Sequence, residues 1–587
     1  MSSHLNIAWR PWGHEAFAEA RAQDKPILLD IGAVWCHWCH VMDDGIPGDP
    51  VHTGTYSAPE VQQRIRDNFI PIKVDTDRRP DINARYNMGG WPTTAFLTPE
   101  GATLYGETYV TPTRMVGLLD HIAATYTNGK DEIARQSVEM LTQKAASEAL
   151  KSSDLDPSTT ETVLVAIRRN FDPHFGGFGR EPKFPHPDTL RLVMERYSAT
   201  GENMLRSIAE KTLHGMADGG MYDRFAGGFF RYSTTRDWSV PHFEKMLEDN
   251  AKLTSAYCLA AEVFQDTYYL DVVKSAHRWL LSEICDSETG AFAGSQDADR
   301  EEAYYGQPLS VRATLPTPFI DRTVYTGWNM LTVSSLAARY RSTGEENIRE
   351  AACKAFAYFF PTPAEASQIA HCYVGGTPQL PAGLLVDMNP ALHAALDLYE
   401  ITGVSDYLET ARTLGDGILS TLVDSDGGFP DSAPNAQAIG ELAIPKKEID
   451  GNSDTAQALV RLSGFTEDAR YKQAAERALK LFADKYAAYG YFASSYARAV
   501  EAVLAPGLHV TIVGDKYDAR TRALQQAAWR HVAAAKSVET LSAEAAAGRG
   551  LPDDLDGLPY ATVCVGTVCF APVSSMEEML EQMRGAV

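Results

Sequence analysis

The chain is poor in cysteine for its size. Eight in 587 residues cannot make a disulfide scaffold. No apolar stretch is long enough to span a bilayer. The start, MSSHLNIAWRPWGHE, has neither a basic nor an apolar leader segment, so no signal peptide is expected and a cytoplasmic protein is. Positive charge is also short: 53 Lys and Arg against 77 Asp and Glu give a formal net charge of −24. The basic residues are scattered, and a field of that sign repels nucleic acid and anionic lipid, so neither is an expected partner. In a reducing compartment the cysteines that do pair point to redox work or metal rather than to scaffolding.

Apolar residues are plentiful, at 44%, and the length allows several domains. PILLDIGAV (26–34), FIPIKVDTD (69–77) and TTAFLTPEG (93–101) read as strands, and TRMVGLLDHIAATY (113–126) as a helix. This is a βαβ unit, a hairpin and a helix, an α/β domain over residues 1–135. A polar stretch follows as a linker, 136–160. From 161 to 504 helical periodicity is broken by recurring loops, DPHFGGF, AGGFFRY, DSETGAF, DSDGGF and YGYF. A recurring helical hairpin, about six times over, matches an all-α (α/α)6 toroid with its loops gathered at one mouth. Residues 505–587 return to α/β. The segment DGIPGDPVHTGTYSAPE reads as a surface loop, and KKEIDGNSD (446–454) as a polar loop, either solvated or lining the mouth.

Cys36-His-Trp-Cys39 follows a strand and opens a helix. Unpaired N–H groups at a helix start favour the thiolate of the first cysteine, and the second, one turn on, can resolve a mixed disulfide. Asp30, six residues earlier, falls beneath the pair, where a buried carboxyl can take the proton of Cys39. Pro92 precedes the hairpin strand, and X-Pro bonds can be cis at modest cost. A zinc site from Cys36, Cys39 and His40 or His37 is the rival reading, though no second CxxC or His pair is near in sequence. No cofactor is expected.

PILLDIGAVWCHWC and KVDTDRRPDINARYNMGGWPTTAFLTPEG resemble thioredoxin. The resemblance implies nucleophilic Cys36, resolving Cys39, proton-handling Asp30, substrate-gripping Pro92 and the Trp35 that precedes the pair. It also implies a thiol or disulfide protein as partner. His37-Trp38 replaces thioredoxin's Gly-Pro. A cationic His37 favours the Cys36 thiolate, so a more oxidising pair than thioredoxin is expected. The longer series CHWCHVM, IPIKVDTDRRPDIN, GGWPTTAFLTPEG, GGFGREPKFP, GGMYDRFAGGFFRYSTTRDWSVPHFEKMLEDNA, SQDAD, GWNML, ALDLYEITG and VCVGTVC resembles the spermatogenesis-associated protein 20 family. That resemblance implies a thioredoxin-like domain joined to a toroid similar to N-acylglucosamine 2-epimerases and six-hairpin glycosidases.

The densest polar constellation lies at the expected toroid mouth. Ser239-Val-Pro241 reads as a helix start. His242 and Glu244 then fall in the first turn, with Asp249 and the inward-facing Asn250 beyond. With Asp223, Arg231, Asp297 and Asp299 they suggest acid–base work on a sugar-like or other small polar ligand, with Trp238 or Trp328 stacking on it. Equally, they suggest a lattice tying the hairpin loops together. Cys258, Cys285 and Cys353 read as core thiols. Cys564 and Cys569 can bond if Gly566-Thr567 is a two-residue turn, and cannot if the run is one straight strand. Three functions follow: thiol–disulfide oxidoreductase, sugar epimerase, isomerase or glycoside-processing enzyme, and redox-sensitive binding scaffold.

Overall fold

The computed structural model describes residues 6–46, 48–50, 52–147, 149–298, 304–367, 369–551 and 558–584. Asp299 lies outside the described residues. The chain divides into two compact units, 1–149 with 431–446, and 150–430 with 447–587.

The first unit is thioredoxin-like. Its elements are α1 (His14–Gln23), β1 (Ile27–Gly32), α2 (His37–Asp44), α3 (Pro59–Asn68), β2 (Ile70–Asp75), α4 (Pro80–Tyr86), β3 (Thr93–Leu97), β4 (Thr103–Glu107), α5 (Pro112–Asn128) and α6 (Lys130–Ser147). The sheet order is β2-β1-β3-β4, with β1 parallel to β2 and antiparallel to β3. Every residue of β1 is buried, as an unbroken apolar run in a central strand requires. Helix α6 covers the first part of the expected linker. The expected toroid span is also interrupted, because residues 431–446 belong to the first unit. Arg85 explains this: buried, it pairs with both carboxylate oxygens of Asp431 and donates to the carbonyls of Glu441 and Ile444. A guanidinium left there unpaired would cost several kcal/mol, on the order of 3–5.

Up to residue 504 the second unit runs, among the described residues, through twelve helices of eleven residues or more: α7 (Thr159–Asn170), α8 (Pro187–Thr200), α9 (Asn203–Asp218), α10 (Leu247–Phe264), α11 (Thr267–Trp279), α12 (Thr326–Thr343), α13 (Glu346–Phe359), α14 (Leu385–Thr402), α15 (Ser405–Thr421), α16 (Ile449–Thr466), α17 (Ala469–Lys480) and α18 (Ser494–Leu504). Helices α8, α10, α12, α14, α16 and α18 each pack on the next, and α18 packs back on α8. This closes an inner ring of six, an α/α toroid. The same unit carries a sheet of β5 (Leu508–Val513), β6 (Lys536–Leu541), β7 (Tyr560–Val565) and β8 (Val568–Cys569), in the order β6-β5-β7-β8.

Two readings of this unit need correction. Residues 239–246 are not a helix start. Pro241–His242 pairs with Tyr232–Ser233, Lys245–Met246 pairs with Ser295–Gln296, and the helix begins at Leu247. These backbone bonds outweigh the local signal of Pro241. Nor is KKEIDGNSD a loop to its end, because α16 starts at Ile449 and carries Asp450 and Asp454.

Candidate functional site

Cys36 caps α2. Its Sγ accepts from the Cys39 N–H at 3.2 Å, its carbonyl takes the N–H groups of Cys39 and His40, and Cys36 and Cys39 are joined as a disulfide. The first sulfur thus sits at the positive end of the helix dipole. Among the described residues, no group of three or more His, Cys, Asp or Glu side chains is arranged to hold a metal ion.

The floor of the site is built by β1. Asp30 and Gly32 share one face of the strand. A Cβ on Gly32 would stand 3.3 Å from Cys39 Sγ. Asp30, two residues back on that face, therefore lies on the Cys39 side of the sheet. Its carboxyl accepts from the Tyr56 hydroxyl at 3.3 Å, and Lys73 Nζ lies 3.1 Å from its other oxygen. Burial pushes the Asp30 carboxyl up, with Lys73 opposing and Asp43 reinforcing. Lys73 also holds Asp43 at 2.8 Å, and despite burial the two carboxylates raise its own pKa. Tyr56 comes from the expected surface loop, which is thereby corrected: Thr55 and Tyr56 are buried. The pairing Asp30↔Lys73 across β1 and β2 was legible only once the register was known.

Around the disulfide, Trp35 is buried and donates to Asp77 at 2.6 Å, with Trp91 edge-on to it at 5.7 Å. The Trp91–Pro92 bond is cis and leads directly into β3. His37 is exposed. Trp38 is 42% exposed and packs on His37, His52 and Tyr109, giving an apolar collar beside the sulfurs.

In the toroid, much of the expected mouth is a lattice. Asp223 is buried, bridged by both Arg312 nitrogens and Lys245 at 2.7–2.9 Å, and it caps its own loop through Phe225 and Ala226 N–H. Burial opposes its ionisation, but Arg312 and Lys245 hold its carboxyl low. Asp172 repeats the pattern with Lys183 and Arg236. Asn250 is a clamp: its Oδ1 accepts from Phe229 N–H at 2.6 Å and its Nδ2 donates to the Phe229 and Met246 carbonyls. Asn329 does the same for Phe292, and Asn452 for Phe429. Trp238 is wholly buried and donates to the Phe175 carbonyl, so it offers a ligand no face.

Other mouth residues are partly exposed, though Glu244 is buried beneath His242. His242 Nδ1 is 2.7 Å from Glu244 Oε1, and Tyr232 stacks on its ring. Arg231 and Glu244 act electrostatically on half-exposed Asp249. Asp297 is half-buried, its carboxylate accepting from Ala298 N–H. Trp328 is half-buried on α12 against Tyr325 at 4.4 Å.

The inner ring brings together residues that sequence reasoning missed. Lys252 on α10 feels Asp188 on α8 and Asp454 on α16, and His393 on α14 feels Arg191 on α8. In both cases helices on opposite sides of the ring are coupled, so these groups converge on its axis. Confinement within the ring pushes partly buried Asp249 up to about 7 and Asp454 to about 6, with neighbouring carboxylates adding to it, whereas Asp450 is exposed and solvent screens the same push. Burial, then Arg461, pulls His393 down to about 4, and it contacts the Asp454 carbonyl at 3.0 Å. Arg191, whose Nε is buried without a hydrogen-bond partner, is pressed down by Arg498 and by burial. The signal was available: polar residues at i, i+3 and i+7 within apolar helices, as in Asp188, Arg191 and Glu195.

Residues 1–145 match the family Thioredox_DsbH, a protein of unknown function, DUF255. The human protein spermatogenesis-associated protein 20 is 27% identical over 657 residues, covering 89% of this chain and 81% of that protein. Its rat counterpart is 32% identical over 51% of this chain, a match that spans only 39% of the rat protein. Among solved structures, cellobiose 2-epimerase from Spirochaeta thermophila superposes with a TM-score of 0.47 at 15% identity, over 59% of this chain and 86% of that one. No helix among the described residues is long and apolar enough to cross a membrane.

Proposed function

For a chain homologous to spermatogenesis-associated protein 20 over most of its length, with a thioredoxin-like domain leading an α/α toroid, we propose thiol–disulfide exchange at Cys36 and Cys39 as its activity. One observation carries the reading. A sulfur pair caps a helix start, and the floor beneath it holds a buried carboxyl whose pKa is raised. Cys36 thiolate attacks a substrate disulfide and releases one substrate thiol. Cys39, deprotonated toward Asp30, then attacks the Cys36 sulfur and frees the second. Pro92 and the Trp38 collar grip an extended protein substrate.

Reduction of insulin disulfides by the reduced chain tests this. The rate is lost in Cys36→Ser, and Cys39→Ser stops at a mixed disulfide. A Cys36→Ser chain that keeps its rate ends the proposal.

A second reading concerns the toroid axis. Two partly buried carboxyls drawn up toward neutrality, a histidine held neutral and an Arg191 whose buried Nε makes no hydrogen bond among the described residues favour acid–base work on a small polar, sugar-like ligand, as an epimerase, an isomerase or a glycoside-processing enzyme requires. The His242–Glu244 pair joins the same candidate site through the action of Glu244 on Asp249. Calorimetric titration with a neutral disaccharide and with a hexuronate checks it. Binding is expected in the wild-type chain and in Cys36→Ser/Cys39→Ser, and is lost in Arg191→Met.

A further inference from the structure

Cys564 and Cys569 are directly opposed on β7 and β8, with their Cα atoms 3.9 Å apart and their sulfurs joined. Gly566-Thr567 makes the turn between them, Gly566 at φ +57°. The flanking Phe570 N–H bonds the Val563 carbonyl, so the cysteines occupy a non-hydrogen-bonded pair, the position where side chains across a ladder come closest.

Nothing about this disulfide suits a staple. The loop it closes is among the shortest a disulfide can close, and loop-closure stabilisation grows with loop length. The hairpin is already closed by its own ladder, and the strand beyond it is tied down separately by paired Ala561–Val573 bonds. Opening the bond therefore leaves the segment in place. Its exposure suits exchange instead. Strand β8 is the sheet edge, Cys569 is exposed, and so are Val568 at 63% and Phe570 at 38%. An edge strand with a free backbone side is the form of substrate that an extended-peptide groove accepts. The other four cysteines form no disulfide, and burial pushes the thiols of Cys258, Cys285 and Cys353 up.

We propose that Cys564–Cys569 is a second thiol–disulfide exchange site, which accepts electrons from the reduced Cys36–Cys39 dithiol of another copy of this chain. The proposal rests on the exchange activity assigned above. Cys36 thiolate attacks the exposed Cys569 sulfur, the Cys564–Cys569 bond breaks, and Cys564 leaves as thiolate and takes a proton. Cys39 thiolate then attacks the Cys36 sulfur of the mixed disulfide and releases Cys569. Two electrons pass, one pair is oxidised and the other reduced, and the two protons that leave the donor thiols balance those the acceptor thiols gain.

The test mixes two full-length chains. The donor is Cys564→Ser/Cys569→Ser, reduced and freed of reductant. The acceptor is Cys36→Ser/Cys39→Ser with its hairpin disulfide intact. After acid quench and alkylation, mass spectrometry counts free thiols at each position. The hairpin pair is expected to open one-for-one with donor oxidation, at least about tenfold faster than with dithiothreitol at the same concentration, because each unit of lowered pKa raises the thiolate fraction about tenfold at neutral pH. A donor further carrying Cys39→Ser is expected to stop as a mixed disulfide on Cys569. A donor that reduces insulin but opens the hairpin no faster than dithiothreitol overturns the proposal. A donor inert toward insulin as well overturns the activity beneath it, and the proposal with it. Circular dichroism of both variants, matched to the wild-type chain, keeps misfolding from posing as either outcome.

Discussion

Gly32 leaves Cys39 its place: a Cβ there would come within 3.3 Å of the Cys39 sulfur and 3.6 Å of its Cβ. Cys39, the resolving thiol in the proposed exchange, is thus seated on bare backbone, with Asp30 two residues along the same strand face. Gly32→Ala is expected to push Cys39 outward. It should cost about 1–3 kcal/mol of stability, as overpacking does, and slow the resolving step more than the first attack. Stopped-flow insulin reduction with trapping of the mixed disulfide separates the two steps.

Asp30→Asn removes the carboxyl proposed to take the Cys39 proton and leaves Cys36 at its helix start. The first attack should be nearly unchanged and resolution slowed by about 10²-fold or more, the usual worth of a positioned general base. The loss should be greatest at low pH, where the Cys39 thiolate is scarcest. If both steps slow equally at every pH, Asp30 is only structural.

His37 in the first turn of α2, when cationic, stabilises the thiolate and so the reduced pair. Equilibration against glutathione buffers should give a potential above thioredoxin's, about −270 mV. His37→Gly should lower it.

Asn250 satisfies three buried backbone groups at once. Asn250→Ala should destabilise the chain by about 2–4 kcal/mol, since each stranded group costs on the order of 1–3 kcal/mol and some will find water. Asn389→Ala, on an amide whose Oδ1 makes no hydrogen bond, should cost clearly less. Chemical denaturation of the two variants side by side decides it.

The axial carboxyls set a pH dependence. Asp249 at about 7 and Asp454 at about 6 are raised from an ordinary 3.8. The folded chain therefore holds protons that the unfolded chain has released. The stability these groups contribute is fully present below about pH 4 and is lost as pH rises through 6 to 7. Asp454→Asn should flatten the fall in Tm between about pH 4 and 6, measured by scanning calorimetry.

The dithiol site was legible because its parts are local. Asp30, Gly32, Cys36 and Cys39 occupy one strand, one turn and one helix start, where spacing alone sets their order in space. The repeated Gly-Phe loops announced helical hairpins for the same reason. Their polar residues, though, were ambiguous between ligand site and lattice. Only the structure showed Asn250 holding Phe229 and Asp223 saturated by Arg312 and Lys245. The start of α10 was misjudged at Pro241 because Lys245–Met246 is held by Ser295–Gln296, a partner some fifty residues away that no local pattern reveals.

By itself, then, the sequence determined which sulfur leads a helix, which acid lies beneath it, and that hairpins of helix would follow. The tertiary structure alone decided that Lys73 and Tyr56 close on Asp30, that residues 431–446 belong with the first unit, and that Asp188, His393 and Asp454 meet on one axis. Periodicity specifies the face of a helix on which a residue sits. It does not specify what stands across from that face, because that depends on how separate helices close into a ring.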